Sequence, residues 1–196
     1  RAAEYRDGAT FEHTERVADL AARLATELGW AASQVELLRL AAPLHDIGKL
    51  AVADAVLLKA GKLTEEEFEQ VKVHAEAGAS ILSDTRSDVL RMGREIARSH
   101  HEWWDGSGYP HGRSGTAIPE AGRIVALADV YDALTSPRPY KAAWTHEQAR
   151  AELLRLSGRQ FDPAVVEAFL RASENGFPED PDTPRLPERE EAAALA

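Results

Sequence analysis

The feature that most constrains this chain is the placement of its histidines, one on or beside the apolar stripe of each of four helical stretches. Val17, Leu20, Ala21, Leu24 and Leu28 recur at helical spacing and predict a first helix from about Thr10 to Leu28. The same stripe extended back four residues reaches His13. Ser33 with Glu36 forms a capping-box pattern for a second helix, whose inner face reads Leu38, Ala41, Ala42 and His45, with Gly48 as the expected stop. Thr64 with Glu67 caps a third, carrying Phe68, Val71 and Ala75 with His74 beside them. A fourth, expected from about Ser87 to Trp103, puts Val89, Gly93, Ile96, Ala97 and His100 on one face, and His101 follows at once. A single histidine on an apolar face is usually a satisfied core residue. Four unpaired buried imidazoles would cost several kcal/mol, whereas a shared metal satisfies them together.

The rest of the chain continues the helical pattern. Residues 105–119 are dense in glycine and contain Pro110, which predicts an ordered loop. Pro119 suits the first turn of a fifth helix through Ile124, Ala128 and Tyr131. Thr145 with Gln148 opens a sixth, and Asp162-Pro163 reads as cap and first-turn proline of a seventh. No sustained alternating pattern suggests a strand, so the expected fold is all-α with about seven helices. After Gly176 the composition shifts to Pro, Asp and Glu. The expected organisation is one domain over 1–176 and a solvated tail or linker over 177–196. A chain of 196 residues suits one domain, which buries about 70% of the surface its unfolded form exposes. It contains no cysteine, which excludes disulfides, thiolate metal sites and cysteine nucleophiles, and fits a cytoplasmic address. A net charge of −10 opposes nonspecific binding to DNA, RNA or anionic membrane. No apolar run approaches the roughly 18–20 residues of a membrane span. The chain opens at Arg1, without an initiator methionine, and is expected to be part of a longer protein.

Carboxylates and cations complete the pattern. Asp46 directly follows His45, and near a helix end such a pair can flank one metal or bridge two. Asp129 interrupts the apolar run Ile124-Val125-Ala126-Leu127-Ala128, where a mid-helix acid is costly unless paired or ligating. Oxygen and imidazole donors without sulfur suit Fe, Mn, Zn or Mg-like ions, and donor type alone does not choose among them. Lys49 lies four residues after His45 and, if the helix continues, shares its side. Beside a metal it reads as a cation aimed at an anionic substrate, with phosphate the natural candidate because Arg138 and Lys141 follow the Asp129 helix.

These residues together resemble the HD-GYP domain, a branch of the HD phosphohydrolase superfamily. The matching stretches are His13-Thr14-Glu15-Arg16-Val17, the signature His45-Asp46-Ile47-Gly48-Lys49, and Leu63-Thr64-Glu65-Glu66-Glu67-Phe68 through His74. They continue with His100-His101-Glu102 through Asp105-Gly106-Ser107-Gly108-Tyr109-Pro110. Arg123-Ile124 through Asp129-Val130-Tyr131-Asp132-Ala133-Leu134-Thr135 to Arg138-Pro139-Tyr140-Lys141 completes the match, which covers roughly residues 6–173. The resemblance implies an HD-superfamily helical bundle and a cytosolic bacterial phosphodiesterase converting cyclic di-GMP to linear pGpG, and sometimes on to GMP, by two-metal activation of a bridging hydroxide. It implies His13, His45, Asp46, His74, His100, His101 and Asp129 as metal ligands, with Asp46 catalytic as the bridge. Lys49 would act at the scissile phosphate, Arg138 and Lys141 would hold substrate phosphate, and Tyr109 would border the substrate. The expected cofactors are two divalent ions, Fe or Mn, one near His13, His45, Asp46 and Asp129, the other near Asp46, His74, His100 and His101. The Gly108-Tyr109-Pro110 loop is implied as a contact for GGDEF-type cyclase domains, and a sensory or receiver domain is expected before Arg1 in the full-length protein. Three positions depart from the family: Ala9 replaces the glutamate of a third metal site, with Glu12 pointing about 100° away from His13. Arg113 stands where an apolar residue is usual after the loop, and Ala75 replaces a common proline. Two alternatives stay open: an inactive dinucleotide-sensing or cyclase-docking module, and an HD-type hydrolase of another nucleotide or cyclic dinucleotide.

Overall fold

Eight α-helices linked by tight turns and 3-10 segments form the described part of the chain. The structure is a computed structural model that describes residues 11–83, 86–137 and 143–174. The helices are α1 (Phe11–Glu27), α2 (Ala32–Ala41), α3 (Asp54–Leu57), α4 (Glu65–Ile81), α5 (Asp88–Ser99), α6 (Glu120–Thr135), α7 (His146–Arg155) and α8 (Pro163–Glu174). The short α3 is the helix beyond the seven expected. Among the described residues there is no strand, only an isolated bridge between Ser157 and Phe161, and no helix long and apolar enough to cross a membrane.

The core forms where the apolar stripes meet. Helix α1 packs on α2, α6 and α8, and α5 packs on α2, α4 and α6. Val17, Ala21 and Leu24 of α1 are fully buried against Leu38, Ile96, Ile124, Leu127 and Phe169, each large side chain contributing about 1.5–3 kcal/mol. Residues 124–128 of α6 are buried consecutively, so α6 is enclosed on nearly all sides. Its start is tied to α8 by Arg123, whose guanidinium pairs with the buried Asp162 carboxylate. The other oxygen of Asp162 caps α8 by accepting from Ala164 N at 2.9 Å.

The capping boxes of α4 (Thr64, Glu67) and α7 (Thr145, Gln148) are both formed. The one expected at Ser33 and Glu36 is not: a turn through Gly29, at φ 83°, delivers an extended Ala31 as N-cap and carries Ser33 into the helix. Nor does Gly48 stop that helix. It ends at Ala41, and the chain continues through two 3-10 turns, Ala42–Leu44 with Pro43 in its first turn and Ile47–Ala51. Pro43 has no N–H to continue an α-helical ladder. Likewise α5 ends at Ser99, not near Trp103, leaving His100 as its C-cap.

Gly48 has a different task. A Cβ there would fall inside the van der Waals shells of the His74 carbonyl and the Gly78 nitrogen, so only glycine lets the second 3-10 turn lie on the α4 backbone. At Gly93 the obstacle would be the movable tip of Leu44. Gly48→Ala should therefore cost about 2–3 kcal/mol by overpacking, and Gly93→Ala distinctly less. Thermal unfolding checks this, at about 2–4 °C of Tm per kcal/mol for a chain of this size.

Candidate metal centre

Asp46 sits at the corner between the two 3-10 turns, and its two oxygens serve different neighbours. Oδ2 lies 3.4 Å from His45 Nε2, while Oδ1 lies 3.5 Å from His74 Nε2 and 3.7 Å from His100 Nε2. Asp46, His74, His100 and His101 each offer a ligand atom, all within 4.8 Å of one another, and His13, His45 and Asp129 form a second such group. In that second group Asp129 Oδ1 is 3.5 Å from His13 Nε2 and 3.9 Å from His45 Nε2. The seven side chains singled out in the sequence thus converge from α1, the 3-10 corner, α4, the end of α5 and α6.

Each imidazole is aimed by its own stretch of backbone. Nδ1 of His45 donates to Ala42 O at 2.9 Å, and Nδ1 of His74 to Val71 O at 2.6 Å. Nδ1 of His100 is shared between Ile96 O and Ala97 O, at 3.1 and 3.2 Å. A carbonyl can only accept, so Nδ1 carries a proton and Nε2 is the atom turned to the centre. Those three Nε2 atoms and Asp46 Oδ1 are buried with no hydrogen-bond partner. Orphaned donors of this kind, all turned to a common centre and backed by carbonyls, fit divalent cations.

His13 is aimed by a side chain instead. Its Nδ1 donates to Asp132 Oδ2 at 2.6 Å, and Asp132 is also held by Arg16, whose Nη2 reaches Oδ2 at 3.1 Å. Burial would raise the Asp132 carboxyl, but these hydrogen bonds prevail and hold it below the ordinary carboxylate value. Sequence reasoning missed the roles of Asp132 and Arg16. The available signal was spacing: each lies three residues beyond a proposed ligand on the same helix.

Electrostatics follow from the crowding. Burial disfavours charge on His45, yet Asp46 and Asp129 outweigh it and push its pKa up to about 9. Burial and the neighbouring His100 lower His74 to about 4, and the same causes take His101 well below its usual value. Asp46 is held well below the carboxylate range: burial opposes this, but the imidazoles of His45 and His100 and the Lys49 ammonium win. Lys49 Nζ lies 2.6 Å from Asp46 Oδ2. Its approach comes through the 3-10 turn rather than through a continued α-helix.

The loop after His101 forms one wall. Tyr109 stacks on His101, with ring centroids 4.7 Å apart and planes 23° from parallel. Tyr109 N donates to His101 O at 3.0 Å, and burial raises the Tyr109 phenol. Gly108 packs so closely on the 101–103 backbone that a Cβ could not fit. The buried carboxylate of Glu102 holds the following turn by accepting from His111 N and Arg113 N, at 2.9 and 3.0 Å. The Arg113 departure therefore leaves the loop anchored through its backbone. Arg138 and Lys141, Ala9, and the 177–196 tail lie outside the described residues.

The HD domain family profile matches residues 1–165. The chain is 51% identical over 171 residues to the cyclic di-GMP phosphodiesterase response regulator RpfG of Xanthomonas campestris, covering 87% of this chain and 45% of that protein. It is 46% identical over 169 residues to the 3'3'-cGAMP-specific phosphodiesterase 2 of Vibrio cholerae, covering 86% of this chain and 32% of that one. It therefore spans half or less of the length of these relatives. A crystal structure of a cyclic GMP-AMP specific phosphodiesterase of Vibrio cholerae superposes with a TM-score of 0.65 at 21% identity, covering 89% of this chain and 47% of that one, a likeness of fold.

Two outcomes follow. Asp132→Asn removes the acceptor charge that orients His13, so metal affinity in the His13 group should fall about 10- to 100-fold, as measured by metal titration. Because His45 is protonated at pH 7 without metal while His74 and His101 are neutral, loading should displace about one proton from His45. Affinity should therefore weaken as pH falls. Calorimetry in buffers of different ionisation enthalpy counts that proton.

Proposed function

The chain belongs to the HD domain family, and from that premise we propose that it is a metal-dependent phosphodiesterase opening cyclic di-GMP to linear pGpG, with onward cleavage giving GMP. The observation that carries this reading is the position of Asp46, which groups with His74, His100 and His101 while its other oxygen lies 3.4 Å from His45 of the second group. We read His13, His45, Asp46 and Asp129 as holding one divalent ion, and Asp46, His74, His100 and His101 as holding a second. Fe and Mn are the favoured identities. When bound, such a pair supplies a hydroxide nucleophile near neutral pH and offsets charge on the phosphate.

The chain's own groups do the rest. Asp46 places one carboxylate between the two groups and keeps Lys49 against the centre. The Lys49 ammonium would neutralise charge that grows on the phosphate oxygens during attack. Asp132 fixes the tautomer and direction of His13. Tyr109, stacked on His101, closes the site beside the substrate. Arg138 and Lys141 would hold a substrate phosphate from the segment after α6, Arg138 by a bidentate fork. One ring P–O bond is hydrolysed, the 3' oxygen leaves with a proton, and a 5' phosphate remains. We place the catalytic domain at 1–176 in the cytoplasm, attached to a sensory or receiver domain in the whole protein, with Gly108-Tyr109-Pro110 facing GGDEF-type cyclase domains.

Asp46→Ala should abolish turnover of cyclic di-GMP and release metal; retained turnover, or an inactive parent loaded anaerobically with Fe or Mn, would favour a sensing module instead. Lys49→Met should depress kcat, because the missing interaction is one that strengthens in the transition state. Arg138→Ala or Lys141→Ala should mainly raise KM, about tenfold for each 1.4 kcal/mol of phosphate-binding energy removed. Steady-state kinetics on the three variants separates these jobs.

A further inference from the structure

Phe68, expected among the apolar residues of its helix, is 44% exposed. Its ring stands edge-on to Tyr109, with centroids 6.1 Å apart at 84°, and Tyr109 in turn stacks on the candidate ligand His101. One turn along α4, Lys72 holds Nζ 5.0 Å from the centre of the Phe68 ring and 5.6 Å from that of Tyr109. The Lys72 ammonium also pairs with Glu69 at 2.5 Å, but the Glu69 side chain is 67% exposed, and an exposed i,i+3 pair restrains a lysine weakly. An exposed aromatic side chain and a lysine ammonium thus meet one ring beyond the candidate metal centre.

We propose that Phe68 and Lys72 form the base-recognition subsite of this enzyme and favour guanine over adenine. The proposal rests on reading the site as that of a cyclic dinucleotide phosphodiesterase. The imidazoles and carboxylates at the centre are placed as metal ligands, so we assign base choice to the rim. A purine stacked on an aromatic side chain gains about 1–3 kcal/mol whatever its identity. The acceptor pattern then discriminates. Guanine offers O6 and N7, both acceptors, where adenine offers N7 beside an amino donor. An ammonium only donates. Lys72 therefore satisfies the guanine edge and opposes the adenine amino group.

The test uses the metal-loaded protein with cyclic di-GMP, cyclic di-AMP and bis(p-nitrophenyl) phosphate, which has no base. Lys72→Met should cut the preference in kcat/KM for cyclic di-GMP over cyclic di-AMP about tenfold, the equivalent of one base-edge hydrogen bond of about 1.4 kcal/mol. Phe68→Ala should raise KM for both dinucleotides about tenfold with kcat held within about twofold, and Phe68→Tyr should restore it. Both variants should cleave the base-free ester at the parent rate. Unchanged preference and KM, or equal losses on all three substrates, would overturn the subsite. Equilibrium binding of GMP against AMP reads it without turnover: a guanine preference that disappears in Lys72→Met supports it, and no preference in the parent defeats it. A parent that cleaves the base-free ester and neither dinucleotide defeats the substrate reading instead, while the GMP comparison still decides the subsite.

Discussion

A buried imidazole nitrogen with no hydrogen-bond partner is the cost around which this structure is arranged. Three such Nε2 atoms, with Asp46 Oδ1, are buried without a hydrogen-bond partner among the described residues, the Asp46 oxygens standing 3.4–3.7 Å from them. Each would be expected to cost about 1–3 kcal/mol if left unpaired. The opposite ring nitrogens are satisfied locally, by carbonyls three or four residues back along the same stretch of chain. In the folded chain each of these rings is therefore oriented by its own stretch of backbone. Packing then needs only to bring the segments together, and a cation binding the assembled centre stabilises the fold by mass action.

Bringing them together depends on small residues. The corner that carries Asp46 lies directly on α4 because Gly48 has no side chain to hold the backbones apart, and Gly78 faces it from α4. Helix α6 crosses the end of α5 where a Cβ at Gly122 would strike Ser99, next in sequence to His100. These approaches set the ligand spacing more directly than the large core residues do. The aliphatic core formed by α1, α6 and α8 holds the frame; the glycines set the distances within it.

Much of this was legible in the sequence because the signals are local or periodic. Capping boxes at Thr64 and Thr145 need only residues three apart, and a histidine on an apolar stripe is visible as a phase. The failures are equally physical. Ser33 and Glu36 match a cap by type, but the turn at Gly29 starts the helix before them. The spacing from Asp129 marks Asp132 as a neighbour of the site, but its partner His13 lies 119 residues away, so the pairing itself is not a local pattern. Phe68 has the spacing of a core residue and an exposed ring, because exposure depends on what the rest of the fold leaves uncovered. The side chains of the candidate centre were readable through their chemistry, and the structure brings them together; the residues that orient them and those on the rim were not.

That division has a chemical reason. A ligand atom must be held to within a few tenths of an ångström, which favours buried positions on packed elements with a fixed hydrogen bond behind the donor. Substrate choice needs no such rigidity. It can lie on an exposed helix face and on a loop anchored from behind, as Glu102 anchors the turn after Tyr109. Phe68 and Lys72 meet Tyr109 and Glu69, one contact removed from the candidate ligands. For the proposed anionic substrate the overall charge of −10 would bear little on binding, because the field at a phosphate is set by groups within a few ångströms of it.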